Sequence, residues 1–89
     1  MEDRPRYETN HPDDLIHPAA AKELAQVGAL REALCVPSKD GWHLVLKIGI
    51  RERTLRIHDA AKPRLFGSLD TAARMARRLG IPRLQVELV

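Results

Sequence analysis

The sequence predicts a small α+β domain, an antiparallel sheet with helices on one of its faces, in the order α-β-β-β-α-β. Residues 42–50 and 54–58 alternate apolar and polar side chains, which is typical of half-buried strands. Residues 19–27 and 69–79 instead repeat apolar side chains at intervals of three and four, as helices do. When helices pack on one face of an antiparallel sheet, the apolar side chains of both the strands and the helices are buried against each other. The chain has 89 residues, 44% of them hydrophobic and only three aromatic among Phe, Trp and Tyr, so we expect one aliphatic core.

The first helix is predicted to begin at Pro18, because a proline suits the first helical position, and to end at Gly28. Residues 29–34 are ambiguous, since their leucine spacing could also extend the helix. We favour a short strand over 31–36, because residues 37–41 (Pro-Ser-Lys-Asp-Gly) are strong turn formers.

The next two strands are predicted over 42–50 and 54–58, with the reversal at 49–53. In the second of them Leu55 and Ile57 are the positions expected to be buried.

Ser68 is predicted to cap the second helix, which ends at Gly80. A final strand is predicted over 83–89, where leucine and valine alternate with polar residues and Pro82 stands at the strand entrance.

Residues 1–17 are predicted to form a flexible, acidic N-terminal arm, and residues 18–89 the single α+β domain. The arm contains prolines, histidines and carboxylates but few apolar residues. Leu15 and Ile16 are the residues through which it could attach to the domain.

Cys35 is the only cysteine, so the chain forms no intramolecular disulfide and no cysteine-based metal site, and we expect a small buried side chain. No apolar run approaches the ~18 residues of a membrane span, and the polar N-terminus lacks the apolar region of a secretory signal. These observations predict a cytoplasmic protein without membrane contact.

No pattern of catalytic residues is present. The four histidines have no zinc-site spacing, and turn formation and helix capping account for Ser38 and Ser68. The chain also lacks a Gly-x-Ser-x-Gly elbow and a glycine-rich phosphate loop. We therefore expect a protein that is not an enzyme and that uses no cofactor and no metal.

The charge is unevenly distributed. Residues 1–41 contain five Lys or Arg and eight Asp or Glu, a net −3, whereas residues 42–89 contain ten and four, a net +6. This asymmetry indicates a polyanion or an acidic protein as partner, and the alternative is an arginine-rich surface with no partner. The candidate binding residues are Arg51, Arg53, Arg56, Lys62, Arg64, Arg74, Arg77 and Arg78.

Three stretches carry a resemblance to a known family. They are VGALREA (27–33), GWHLVLK (41–47) with ERTL (52–55), and RLFGSLDTAA (64–73) with LGI (79–81). In these the chain resembles the ParC-family partition-associated proteins, small plasmid-encoded proteins unrelated to the topoisomerase subunit of that name. The resemblance implies an accessory role in plasmid maintenance, beside a partition ATPase and a centromere-binding protein, and implies no catalytic residue.

The leading hypothesis is an accessory protein that binds a partition-system protein, or another acidic protein, through its basic half. A homodimer paired through a sheet edge is also possible. A second hypothesis is direct DNA binding by the arginine-rich helix and hairpin, although aromatic side chains for stacking on single strands are lacking. A third is a small inhibitor protein carried by a mobile element.

Overall fold

The computed structural model describes residues 14–88, so the first 13 residues of the predicted arm and Val89 lie outside the described residues. The elements are β1 (Leu15–Ile16), α1 (Pro18–Gln26), β2 (Leu30–Ser38), β3 (Gly41–Ile48), β4 (Arg51–Leu55), α2 (Leu69–Leu79) and β5 (Arg83–Val86).

The strands form one sheet in the order β1-β4-β3-β2-β5. The meander β2-β3-β4 is antiparallel, whereas β1 pairs with β4 and β5 pairs with β2 in parallel. The α+β class and the helices on one face are confirmed, but the purely antiparallel sheet is corrected to a mixed one. The reason is that a helix lies between each edge strand and the meander along the chain, and such crossovers produce parallel pairs.

The predicted arm ends too late in the sequence. Leu15 and Ile16 are buried and pair with Thr54 and Leu55, so residues 14–17 belong to the fold. Short-range patterns do not reveal a two-residue strand whose partner lies far along the chain.

The first helix begins and ends where its capping residues predict. The Nδ1 atom of His17 accepts a hydrogen bond from the backbone N–H of Ala19 at 3.0 Å, and Pro18 occupies the first turn. Gly28 follows with a φ of 80°, which stops the helix. The ambiguity over residues 29–34 resolves in favour of a strand, since β2 begins at Leu30.

The two hairpins of the meander have tight turns. Ser38 pairs with Gly41, and Ile48 pairs with Arg51, so two residues connect the strands in each case. The second turn is therefore shorter than the reversal predicted over residues 49–53, and Gly49 adopts a φ of 63° within it.

Strand β4 also ends earlier than predicted. The backbone N–H of Arg64 donates to the carbonyl of Leu55 at 2.8 Å, and residues 56–63 form a loop. Ile57 lies in this loop and is exposed, so its predicted burial is wrong, whereas that of Leu55 is confirmed.

The second helix carries a capping box. The Ser68 hydroxyl accepts from the backbone N–H of Thr71, and the Thr71 hydroxyl accepts from the backbone N–H of Ser68. Gly80 closes the helix with a φ of 89°. The strand that follows ends at Val86 rather than at residue 89.

The main core lies between the helices and the sheet. Its largest wholly buried side chains are Leu30, Leu44, Leu46 and Leu55. The helices contribute mainly alanines, which allow close packing on the sheet. Cys35 is buried in this core, and burial raises the pKa of its thiol to about 11. Within the described residues, no helix is long and apolar enough to cross a membrane.

Candidate functional site

Helix α2 presents arginines on two of its sides. Arg74 and Arg78 are one turn apart and line the same cavity, whereas Arg77, three residues after Arg74, lines a different cavity. All three are exposed. The side of the helix with Arg74 and Arg78 faces a cavity that Arg77 does not line.

This cavity, of about 130 Å³, is the arginine pocket. It is lined by Arg64, Phe66, Thr71, Arg74, Met75 and Arg78. The pocket combines three guanidinium groups with an aromatic and a thioether side chain.

The chain preceding α2 fixes the aromatic wall. Phe66 is buried, and its backbone exchanges two hydrogen bonds of 2.8 Å with that of Trp42 at the start of β3. Gly41 permits this approach, because a Cβ atom there would collide with the Phe66 carbonyl. The Cζ atom of Arg64 lies 5.1 Å from the Phe66 ring centroid, within the range of a cation–π contact.

The positive charge of the pocket is not neutralised within residues 14–88. The ion pairs formed there join Lys47 to Glu32 at 3.9 Å and His58 to Asp59 at 2.8 Å, and none involves an arginine of the pocket. Asp70 lies in the first turn of α2, where it stabilises the helix dipole. Guanidinium groups without such an ion pair are available for an anionic group of another molecule.

The other candidate residues lie elsewhere. Arg51 and Arg53 line a separate groove with β1 and α1, and Arg77 lines a cavity between α2 and β5. Lys62 is exposed in the loop after β4. The structure therefore brings together three of the eight predicted residues, Arg64, Arg74 and Arg78.

Arg56 serves its own loop. Its Nε atom donates to the carbonyls of Ile57 and Ala60, both at 3.1 Å, and its Nη2 atom donates to the carbonyl of His58 at 3.3 Å. These bonds hold the turn after β4 and occupy donors that the binding hypothesis assigned to a partner.

Sequence reasoning did not identify the apolar half of the pocket. Phe66, Thr71 and Met75 are not among the eight candidate residues named from the sequence. The available signal was the position of Phe66, two residues after Arg64 and two residues before the helix cap Ser68.

The histidines are arranged differently from a metal site. The ring of His58 contacts that of His17 edge-on, with centroids 4.8 Å apart. Among residues 14–88, no group of three or more His, Cys, Asp or Glu side chains could hold a metal ion. The hydrogen bond from His58 lowers the pKa of Asp59, which is fully exposed.

Comparison with known proteins assigns a family. No curated protein and no solved structure matches the chain significantly. The family model described as ParC-like matches residues 16–89, which include every element from Ile16 to β5. At family level this match indicates a partition-related or accessory role. On this match, the chain belongs to the ParC-like family.

Proposed function

We propose that this protein is a non-enzymatic accessory of plasmid partition that binds an acidic side chain of a partition protein in the arginine pocket. Family membership supports the partition setting. The observation that carries the proposal is the grouping of Arg64, Arg74 and Arg78 around Phe66, with no carboxylate of residues 14–88 paired to them.

The chemistry of the pocket suits a carboxylate on a protein. A guanidinium presents two parallel N–H groups that match the two oxygens of Asp or Glu. Phe66 and Met75 add apolar surface for the methylene groups next to that carboxylate. Arginine and aromatic side chains are also the groups that most often contribute strongly to protein interfaces.

The same pocket favours binding over catalysis. Thr71 is its hydroxyl-bearing residue, and that hydroxyl donates to the Ser68 carbonyl at 2.8 Å. A hydroxyl engaged in helix capping is poorly placed to act as a nucleophile, and no carboxylate or histidine lines the pocket to activate it.

Charge reversal tests the proposal. The dissociation constant of the full-length chain for each purified partition protein of its own replicon is measured by calorimetry, for the wild type and for Arg74→Glu, Arg78→Glu and Arg77→Glu. We expect the first two substitutions to weaken one of these complexes on the order of tenfold or more, which is about 1.4 kcal/mol or more. Arg77→Glu is the matched control, because it changes the same charge on the same helix outside the pocket. Equal weakening by all three variants, or no binding to any partition protein, would contradict the proposal.

A second candidate function is direct DNA binding. It is favoured by the exposure of three arginines on α2 and by the net charge of +6 on residues 42–89. Phosphate contacts depend on charge rather than on a pocket. This function therefore predicts that Arg77→Glu weakens binding to a mixed-sequence duplex as much as Arg74→Glu does, with a steep dependence on salt.

A further inference from the structure

Strand β5 forms one edge of the sheet. Among the strands of residues 14–88 its neighbour is β2, which it joins in parallel. The backbone N–H of Glu87 donates to the carbonyl of Cys35 at 2.9 Å, so the chain stays alongside β2 beyond Val86. The opposite edge, β1, has only two residues. An edge strand is a template for pairing with another chain, and β5 is the longer of the two edges.

The pairing with β2 decides which backbone groups of β5 point outwards. Successive residues of a strand direct their N–H and C=O groups to opposite sides of that strand. Glu87 directs its N–H towards β2, and by alternation Gln85 does the same. Leu84 and Val86 therefore direct their N–H and C=O groups away from β2, towards the outer edge. A further strand can bond to both residues there.

The outer edge is also apolar on the helix side of the sheet. Val86 pairs with Cys35 of the main core, and alternation puts Leu84 and Leu88 on the same side as Val86. Val86 is 40% exposed and Leu88 is 83% exposed. A groove of about 320 Å³ lies between α2 and the start of β5, and it is lined by Ala73, Ala76, Arg77, Ile81, Pro82 and Leu84. The edge thus combines an exposed leucine with a mainly apolar groove.

We propose that this edge binds the β5 edge of a second copy of the chain, in an antiparallel pair whose twofold axis passes beside Gln85. In this register Leu84 lies opposite Val86 of the second copy, and these two residues exchange their outward backbone hydrogen bonds. Arg83 lies opposite Glu87 of the second copy. Both copies make the same contacts, as a twofold interface requires, and their two sheets become one.

Charge complementarity selects this register. The exposed guanidinium of Arg83 faces the carboxylate of Glu87 of the second copy, and the reciprocal pair forms on the other side of the axis. Glu87 already interacts within its own chain, and a carboxylate has acceptor sites for a further N–H. A shift by two residues in either direction places Gln85 opposite one of these charges instead. A shift by one residue misaligns the outward backbone groups.

The same register brings the exposed leucine to the groove. Leu88 of the second copy lies opposite Pro82 on the helix side, where Pro82 and Leu84 line the groove. Each copy therefore covers its partner's groove with its own Leu88. The interface is small, so we expect a dissociation constant on the order of tens of micromolar, and a monomer at about 1 µM.

Sedimentation velocity of the full-length chain, from about 5 to about 500 µM, tests the pairing. We expect the wild type to pass from monomer to dimer over this range. Leu88→Asp should raise the dissociation constant at least about tenfold, because it carries a charge to the apolar groove. Ile50→Asp is the matched control, since Ile50 is also an exposed aliphatic residue but lies in the β3-β4 turn. A monomer at every concentration, or equal weakening by the two variants, would overturn the proposal.

A disulfide across the axis tests the register. In the proposed pair the two residues at position 85 face each other without hydrogen bonds, with Cα atoms about 4.5 Å apart, which a disulfide can bridge. We expect oxidised glutathione to link Gln85→Cys into a covalent dimer. Arg83→Cys is the control at an equally exposed position, because its two cysteines lie about 13 Å apart in this register and stay unlinked. Cys35 is wholly buried and does not compete.

The pattern of linkage is decisive. Failure of Gln85→Cys to link, or equal linkage of Arg83→Cys, would place the copies in another arrangement and overturn the proposal. The groove beside β5 and the arginine pocket share no lining residue, so this outcome is independent of the proposed function.

Discussion

Leu46 gives the sharpest test of the core. This residue lies in the middle of β3, opposite Ala33 of β2, and is 0% exposed. Leu46→Ala removes three carbon atoms from the helix-side core, a transfer loss of about 2.4 kcal/mol at ~0.8 kcal/mol per methylene. The cavity left behind adds to this loss, so we expect the free energy of unfolding to fall by about 3–4 kcal/mol. Small domains are stable by about 5–15 kcal/mol, so the variant remains folded but is much weakened.

Urea unfolding followed by the fluorescence of Trp42 measures this loss. Trp42 is the only tryptophan and packs against the helix-side core, so its emission reports on the same region. With a slope of about 1–2 kcal/mol per molar urea, the midpoint should fall by roughly 1.5–4 M. Leu88→Ala is the matched control, because Leu88 is 83% exposed and its loss should stay within about 0.5 kcal/mol. The alternating pattern of the sequence marks both Leu46 and Leu88 as strand positions, and only the structure distinguishes them by burial. Equal losses of unfolding free energy for the two variants would therefore refute the reasoning.

Two other predictions concern the helix end and the buried thiol. Gly80→Ala should lower the free energy of unfolding by about 1–2 kcal/mol in the same assay, because alanine is strained at the Gly80 φ of 89°. Gly67→Ala is its control, with no positive φ and no atom within 4 Å of the added Cβ; a comparable loss there would contradict the explanation. Cys35 should resist a thiol reagent at pH 8 until urea unfolds the chain. Its pKa is raised from 9.0 to about 11 in the folded state, so its contribution to stability is complete below pH 9 and is lost as the pH rises towards 11. If the free energy of unfolding of Cys35→Ala falls between pH 9 and about 11 as steeply as that of the wild type, ionisation of the Cys35 thiol is not the cause of the loss.

Local signals in the sequence predicted the helices well. Pro18, Ser68 and Gly80 act through hydrogen bonds and backbone angles within a few residues of themselves, and the helices begin or end beside them. The β2-β3 turn was predicted from the turn formers at residues 37–41, and it falls among them at residues 39–40, with Gly41 already in β3.

The errors arose where distant pairing decides the outcome. Ile50 continues the alternation of β3 in the sequence, yet it lies exposed in a two-residue turn because Ile48 pairs with Arg51. Strand β1 has only two residues, and its partner is β4. No local pattern distinguishes such a strand from an arm.

The candidate site was predictable only in its charged half. The spacing of Arg74 and Arg78 places them on one side of a helix, and this follows from the sequence alone. The contribution of Phe66 depends on its pairing with Trp42 across the fold, which no spacing reveals. The separation of Arg51 and Arg53 from the α2 arginines likewise depends on sheet topology.

The parallel pairing of β1 with β4 has a consequence for folding during synthesis. Leu15 and Ile16 are made before every other strand, but their strand partners are Thr54 and Leu55. The β2-β3-β4 meander joins neighbours in sequence through tight turns, and such local pairs form fastest. We therefore expect the meander to assemble first on the emerging chain. At this edge of the sheet the order of folding runs opposite to the order of translation.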